Sequence, residues 1–192
     1  MDMSVDQKEA MRQELHELLS KLAVRHGTFT LTSGAVSDFY VDCRAVSMVP
    51  RAMQLIGRLM LDAMADLPDV QGVGGLTLGA DPIAAAVAVA SADTLRPVPM
   101  FIVRKEPKGH GTRQLIEGPF PGDPGAPVVI VDDVITKGGS VMKAIQAVET
   151  ETQAKVARVV LIVDREEGGA EMLREKGYDV RALFTRADFR PK

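Results

Sequence analysis

Two adjacent carboxylates, followed by a short polar turn, stand between an apolar run and a stretch with helical character. The run Val128-Val129-Ile130-Val131 leads into Asp132 and Asp133, and Thr136-Lys137-Gly138-Gly139-Ser140 comes soon after. Parallel sheets bind ligands at the carboxyl ends of their strands, and the unpaired N–H groups at a helix N-terminus hold phosphate. Ionised carboxylates only accept hydrogen bonds, which suits sugar hydroxyls or metal-bound water. The segment therefore predicts a phosphate site flanked by two acids; the alternative is an ordinary capped helix with acids in a solvated turn.

A second candidate is a cationic loop. The stretch Arg104-Lys105-Glu106-Pro107-Lys108-Gly109-His110 places two lysines, one arginine and one histidine within seven residues of an acidic chain. Such a cluster suits a polyanion such as pyrophosphate, and its glycines suit a lid that closes over a bound ligand. By composition alone, an exposed charged loop without a function is an equally good interpretation.

The acid pair and its turn resemble a known motif. The segment has neither the Gly-x-x-x-x-Gly-Lys spacing of a Walker A loop nor a Gly-x-Gly-x-x-Gly dinucleotide loop. It resembles the phosphoribosyl pyrophosphate (PRPP) motif of the type I phosphoribosyltransferases. The resemblance implies that the acids lie beside the ribose hydroxyls and that the following loop holds the 5-phosphate. The residues it assigns to PRPP are Asp132, Asp133, Val134, Ile135, Thr136, Lys137, Gly138, Gly139 and Ser140.

The order of residues in the cationic loop favours a function over an exposed loop without one. Arg-Lys-Glu-x-Lys-x-His-Gly, followed by Ile116-Glu117-Gly118, resembles the catalytic loop of the orotate phosphoribosyltransferases. The resemblance implies that this loop closes over PRPP and contacts the pyrophosphate and the transition state. The catalytic and PRPP-binding residues it gives are Arg104, Lys105, Lys108 and His110. It also implies a homodimer in which the loop around Lys105 is shared across subunits.

Two further segments bear on the base. Residues 29–42 are similar to the family's Leu-x-Ser-Gly-x-x-Ser-x-x-Tyr segment, which implies that Tyr40 forms part of a wall over orotate. Many members of the family have lysine where this chain has Thr32, so no role is carried over to Thr32. Arg165 follows a predicted strand, and the resemblance places it on the orotate carboxylate, with Thr136 helping to fix the base. The alternative for Arg165 is a surface salt bridge with Glu166 or Glu167.

A magnesium ion is expected near the acids. The segment 74–84 looks like the family's pyrophosphate-side loop, in which small residues donate backbone N–H groups to an anion. Asp81, Asp132 and Asp133 could hold a magnesium ion through water, and no direct protein ligand is predicted. A routine turn between a strand and a helix is an equally good interpretation of this segment.

The activity implied is the transfer of 5-phosphoribosyl from PRPP to orotate, giving orotidine 5′-monophosphate and pyrophosphate in the synthesis of UMP. No covalent nucleophile is needed. One alternative is a phosphoribosyltransferase for another base, which Arg165 and the cationic loop disfavour. The other is a PRPP-sensing regulator without catalysis, which would need a surface for nucleic acid.

The elements that must position these residues alternate between strand and helix. Helical spacing or helix start signals predict helices at 6–25, from Pro50, and at 82–92, 138–150 and 169–176, and apolar runs predict strands at 29–31, 39–41, 70–74, 99–103, 127–131, 157–163 and 180–184. Residues 104–125 are predicted to form a long loop. The alternation indicates an α/β fold with a parallel sheet flanked by helices. With the resemblance, we expect a single domain over 1–192, with an N-terminal helix and hood at about 1–45 and the core at about 70–185.

Composition limits the remaining possibilities. The net charge of −3 provides no overall basic field for nucleic acid. The single cysteine, Cys43, excludes an internal disulfide and is predicted to be a small buried residue. The N-terminus lacks a signal-peptide pattern, and the apolar stretch 83–90 is shorter than the roughly 20 residues of a membrane span, so we expect a cytoplasmic protein without membrane contact. His16 and His26 are predicted to be surface residues of the first helix.

Overall fold

The computed structural model describes residues 3–30, 36–107, 114–121 and 123–190. Within these ranges, the strands are β1 Val24–Thr30, β2 Val36–Val41, β3 Gly72–Leu76, β4 Met100–Val103, β5 Ile116–Glu117, β6 Pro127–Ile135, β7 Lys155–Asp164 and β8 Val180–Thr185. The helices are α1 Val5–Leu22, α2 Arg44–Ser47, α3 Pro50–Asp62, α4 Asp81–Ser91, α5 Gly139–Glu151 and α6 Gly169–Glu175, and a 3-10 helix covers Arg186–Phe189.

A six-stranded sheet forms the centre of the protein, in the order β5-β4-β3-β6-β7-β8. All pairs are parallel except β4 with β5 at one edge. Successive residues of a strand point to opposite faces. Accordingly, Val129 and Val131 pack with α3 and α4, whereas Val128 and Ile130 pack with α5 and α6. The predicted α/β fold with a mainly parallel sheet between helices is therefore confirmed.

The N-terminal part forms a helix and an antiparallel hairpin, which we call the hood. In the hood, β1 pairs with β2 through Val24↔Val41 and Arg25↔Tyr40. The first helix ends at Leu22 rather than at residue 25, because the residues from Val24 onward pair with β2 instead of continuing the helix. The prediction that His26 lies on this helix is therefore wrong.

His16 and Cys43 are both shielded from solvent, to different extents. His16 does lie on α1, but it is half-buried rather than at the open surface, since its ring stacks on Phe189 with centroids 4.9 Å apart and its Nε2 lies 2.8 Å from the Asp188 carbonyl oxygen. Cys43 is fully buried, as predicted. No helix in the described ranges has the length and apolar character needed to cross a membrane.

The strand that carries the acid pair is longer than predicted. Instead of ending at Val131, β6 runs to Ile135 because β7 continues to pair with it through Val134↔Val163 and Ile135↔Asp164. Asp132 and Asp133 therefore lie within a strand and not in a solvated turn. The short elements β5, α2 and the 3-10 helix were not predicted, since each spans four residues or fewer.

A buried arginine ties the sheet to the segment after α3. Arg158 of β7 is 3% exposed, and its guanidinium donates to Asp66 Oδ1 at 2.6 Å, to Asp179 Oδ2 at 2.6 Å and to the Ala63 carbonyl at 2.7 Å. Hydrogen bonding to Arg158 and Arg181 lowers the pKa of Asp66. The cluster lies toward the amino ends of β7 and β8, whereas the acid pair lies toward the carboxyl end of β6, and the contribution of the cluster is to stability.

Removing both carboxylates, as Asp66→Ala with Asp179→Ala, is expected to lower Tm by roughly 6–12 °C, because a buried guanidinium would keep its charge without a counter-ion. Arg158→Met is the control: it removes the charge and leaves only exposed carboxylates, so it should lower Tm by less than half as much. Thermal unfolding followed by circular dichroism measures both. If Arg158→Met lowered Tm as much as the double variant does, this explanation would be contradicted.

Candidate active site

Four strands deliver the predicted site residues to one edge of the sheet. The parallel strands β3, β4, β6 and β7 have their carboxyl ends on the same side, where ligands bind in open α/β sheets. Asp81 follows β3, Arg104 follows β4, Asp132 and Asp133 lie near the end of β6, and Arg165 follows β7. The structure therefore brings together residues from four separate parts of the sequence.

The two acids are held in different environments. Asp132 is only 6% exposed, and its Oδ1 accepts a hydrogen bond from the Asp133 N–H at 3.0 Å, whereas Oδ1 of the half-buried Asp133 accepts from the Val134 N–H at 2.9 Å. Burial, together with the charge of Asp133, raises the pKa of Asp132 to about 8, and burial also raises the pKa of Asp133. A pair of buried carboxylates is stabilised by a cation or by hydroxyl donors, so the pair suits a polyhydroxylated or metal-bound ligand.

The loop after β3 passes directly over the acid pair. A Cβ atom at Gly79 would lie 2.7 Å from Asp133 Oδ1 and 2.9 Å from Asp132 Oδ1, so a larger residue there would require the carboxylates to shift. Two residues further on, Asp81 Oδ2 accepts a hydrogen bond from Thr77 Oγ1 at 2.8 Å. The other oxygen of Asp81 is buried and has no hydrogen-bond partner among the described residues. A third carboxylate oxygen thus faces inward at this edge of the sheet.

The predicted phosphate loop leads into α5 through a left-handed residue. Gly138 has φ 79°, and α5 begins at Gly139 without a side-chain cap. A Cβ atom at Gly139 would meet nothing within 4 Å beyond the adjoining residues of its own helix, so the space beside Gly139 is open. The amides of a helix N-terminus and its partial positive charge can therefore reach an anion there. The Lys137 ammonium donates to the Glu167 carbonyl at 2.8 Å and so contacts the neighbouring loop.

The phosphate loop and the loop between β7 and α6 lie side by side. The backbone N–H of Arg165 donates to the Ile135 carbonyl at 3.1 Å, and the backbone N–H of Gly169 donates to the Thr136 carbonyl at 2.9 Å. A Cβ atom at Gly169 would lie 2.4 Å from that Thr136 oxygen and 2.7 Å from Gly138 N. Sequence reasoning placed Gly169 only at the start of a helix and missed this close approach, which no local pattern indicates.

Arg165 connects this edge to the hood. It is 6% exposed, and its Nη2 lies 3.2 Å from the Phe39 carbonyl of β2 and 2.7 Å from Glu167 Oε1. The ion pair with Glu167 is therefore present, and it joins a buried guanidinium to a half-buried carboxylate. Tyr40, which follows Phe39, is 36% exposed, and its ring centroid lies 5.5 Å from that of Phe29.

Only the ends of the cationic loop can be described. Arg104 Nε donates to Glu117 Oε1 at 2.8 Å, which joins β4 to β5, and Lys105 is exposed. At the other end, the Leu115 N–H donates to both carboxylate oxygens of Glu151 at 3.1 and 2.8 Å, a contact that the sequence did not suggest. Lys108 and His110 lie outside the described residues, as do the predicted hood residues Thr32, Ser33 and Gly34.

A cavity lies beside the site, not over the acids. It has a volume of about 570 Å³ between the hood and the C-terminal 3-10 helix, lined by His26, Asp38, Phe39, Glu166, Arg186, Phe189 and Arg190. None of the residues predicted to bind PRPP lines it. The predicted PRPP site is instead the open edge formed by the acids and the phosphate loop.

Comparison with known proteins agrees with this geometry. Residues 73–184 match the family model of the phosphoribosyl transferase domain, so the sheet and its acid pair define a phosphoribosyltransferase. The orotate phosphoribosyltransferase of Thermosynechococcus vestitus is 46% identical over 178 residues, which cover 93% of this chain and 92% of that protein. The chain belongs to the orotate phosphoribosyltransferase family.

Solved structures give the same result. The Mycobacterium tuberculosis orotate phosphoribosyltransferase in complex with Fe(III) dicitrate matches with a TM-score of 0.80 and 43% identity, over 93% of this chain and 98% of that chain. The same enzyme in complex with PRPP matches with a TM-score of 0.74 and 36% identity, over 94% of this chain and 92% of that chain.

Asp132→Asn is expected to stabilise the ligand-free protein in a pH-dependent way. The folded-state pKa of Asp132 is raised to about 8, so its ionisation opposes folding. This penalty is absent below the unfolded-state pKa of about 4 and grows as the pH rises toward the folded-state value. The variant should exceed the wild type by on the order of 1–3 kcal/mol at pH 8 and by much less at pH 4.5.

Urea unfolding at the two pH values measures the difference. Asp93→Asn, at an exposed carboxylate, is the control and should change stability little at either pH. A gain for Asp132→Asn that does not depend on pH would show that ionisation of Asp132 is not what opposes folding.

Proposed function

We propose that this chain transfers the 5-phosphoribosyl group of PRPP to N1 of orotate, giving orotidine 5′-monophosphate and pyrophosphate in the synthesis of UMP. The observation that carries the proposal is the meeting of three features at one sheet edge. These are the acid pair with its buried Asp132, the uncapped N-terminus of α5 and the buried Arg165. The family supports it, and a relative in that family has been solved with PRPP bound.

In this proposal, the phosphate loop and the acids bind PRPP. The 5-phosphate lies in the open space at Gly139 and accepts hydrogen bonds from backbone N–H groups at the start of α5. The hydroxyls of Thr136 and Ser140 add donors, and Lys137 completes the loop. Asp132 and Asp133 accept hydrogen bonds from the ribose hydroxyls, while Val134 and Ile135 hold the acids in the strand through pairing with β7.

In this proposal, the side chains of the cationic loop bind the pyrophosphate together with Mg²⁺. Arg104, Lys105, Lys108 and His110 supply positive charge and donors. Among the described residues, no group of three or more His, Cys, Asp or Glu side chains forms a metal site by itself. Mg²⁺, however, binds through one or two carboxylates, waters and substrate phosphates, and the partnerless buried oxygen of Asp81 suits a metal-bound water. When bound, the ion neutralises charge on the pyrophosphate.

The reaction then follows from charge placement. The bond between C1 and the pyrophosphate oxygen breaks with its electron pair leaving on that oxygen, and the ribose approaches an oxocarbenium ion, as in glycoside cleavage. The loop cations stabilise the charge that grows on the departing group, so they act more strongly in the transition state than in the ground state. Orotate is held by Arg165 at its carboxylate, by Thr136 and by Tyr40, so that N1 faces C1. As the N1–C1 bond forms, the N1–H bond breaks and its proton passes to an oxygen of the departing pyrophosphate.

The assembly and location are also part of the proposal. We propose a single domain that works as a homodimer, with the loop around Lys105 reaching the site of the other subunit, and without nucleic-acid or membrane partners. A reducing cytoplasm suits the lone thiol of Cys43. The homodimer is supported by the family resemblance of the cationic loop.

Turnover should require orotate, PRPP and Mg²⁺. The measurement is the loss of orotate absorbance, with uracil, adenine and hypoxanthine assayed in parallel and with one reaction lacking the metal. Turnover with a different base alone would assign the chain to that base and remove the orotate role of Arg165. PRPP binding without turnover of any base would favour a PRPP-sensing regulator.

Gly139→Ala tests the position of the phosphate. The added methyl group meets no protein atom within 4 Å beyond the adjoining residues of its own helix, so Tm should stay within about 2 °C of the wild type. The same methyl group would displace a phosphate from the amides of α5, so the Kd for PRPP should rise roughly tenfold or more. Ser140→Ala is the control, since it removes one hydroxyl without adding bulk and should weaken binding less. Unchanged PRPP affinity in Gly139→Ala would place the phosphate elsewhere.

A further inference from the structure

Glu167 contacts both substrate-facing loops at once. Its Oε1 lies 2.7 Å from Arg165 Nη2, and the two side chains are 23% and 7% exposed, so the ion pair is largely shielded from water. Its backbone carbonyl accepts a hydrogen bond from the Lys137 ammonium at 2.8 Å. One residue therefore joins the arginine beside the hood to the phosphate loop.

The neighbouring glutamate is placed quite differently. Glu166 is exposed, and its Oε2 accepts a hydrogen bond from the Ala187 N–H of the 3-10 helix at 3.1 Å. Two adjacent residues of the same type thus have separate partners, one toward the sheet edge and one toward the C-terminal turn. This difference provides a matched comparison inside the chain.

We infer that Glu167 is a positioning residue for orotate recognition, holding the Arg165 guanidinium in the orientation that receives the substrate carboxylate. The inference rests on the role proposed above for Arg165. An arginine side chain has many rotamers, and a planar guanidinium binds a carboxylate in a fixed geometry, so an orienting partner reduces the ordering that binding requires. The carboxylate also gives the buried guanidinium a counter-ion when no substrate is bound.

A second contact restricts the same guanidinium. The Nη2 atom that faces Glu167 also donates to the Phe39 carbonyl at 3.2 Å, so the guanidinium is held between the hood and Glu167. Loss of the Glu167 carboxylate would leave one of these two restraints. The substrate carboxylate would then meet an arginine of less defined orientation, while the PRPP site, built on backbone amides and the acid pair, would be little changed.

The test is steady-state kinetics of Glu167→Ala, Glu167→Gln and Glu166→Gln, with one substrate varied at saturating levels of the other. Glu167→Ala is expected to raise KM for orotate roughly tenfold and to leave KM for PRPP within about twofold. Glu167→Gln keeps an oxygen acceptor for the guanidinium, so its KM for orotate should lie close to that of the wild type. Glu166→Gln should resemble the wild type in both constants. An unchanged orotate KM in Glu167→Ala, or equal rises for both substrates, would overturn the inference.

A double-mutant cycle separates this inference from the role of Arg165 itself. In an Arg165→Lys background, whose point charge cannot present the planar fork, Glu167→Ala should add little to the orotate KM, because it acts through that fork. If Arg165→Lys raises the orotate KM but Glu167→Ala has the same effect with and without it, only the positioning role fails. If Arg165→Lys and Arg165→Met both leave the orotate KM unchanged, the anchor role fails and the inference fails with it.

Discussion

The parallel pairing of β6 with β7 is the constraint on which the site depends. Because the pairing continues through Val134↔Val163 and Ile135↔Asp164, the acids and Arg165 emerge at the same edge with a fixed spacing. The two loops that follow stay together through Gly169 N–H and the Thr136 carbonyl. If the pairing of β6 with β7 were shorter, the acid pair would turn into solvent and would be separated from Arg165. Strand pairing, not loop sequence, therefore sets the distance between the acid pair and Arg165.

The pairing of β6 with β7 also places two carboxylates next to each other where water is partly excluded. Holding Asp132 within a buried strand raises its pKa, and the adjacent Asp133 adds repulsion. A carboxylate in that state is relieved by hydroxyl donors and by a nearby cation, which the proposed ligands supply. The acid pair therefore lowers the stability of the ligand-free protein, as expected for residues that are kept for function and not for folding. The Arg158 cluster at the opposite end of β7 shows the other solution, in which each charge has a partner within the protein.

The parts that could be predicted from the sequence have local signals. The apolar run of β6, the glycines that precede α5 and the strand before Arg165 were all recognisable, because each pattern lies within a short window. The parts that could not be predicted depend on contacts between distant residues. Val24 leaves the helix because β2 pairs with it, and the acids that crowd Gly79 are more than fifty residues away. The partner of Arg165 was left open between two adjacent glutamates, and only the fold distinguishes them.

The choice of Glu167 over Glu166 illustrates how a fold assigns different roles to identical neighbours. The turn after β7 directs one carboxylate toward the sheet edge and the other toward the 3-10 helix. The Nη2 atom of the guanidinium thereby contacts both a counter-ion and a backbone carbonyl of the hood. In the proposed function, a base that carries a carboxylate is bound by a buried arginine whose charge is balanced and whose orientation is set before the base arrives. The hood contacts this turn through the Phe39 carbonyl, and the phosphate loop contacts it through Lys137 and the Glu167 carbonyl, so both are held around the turn after β7.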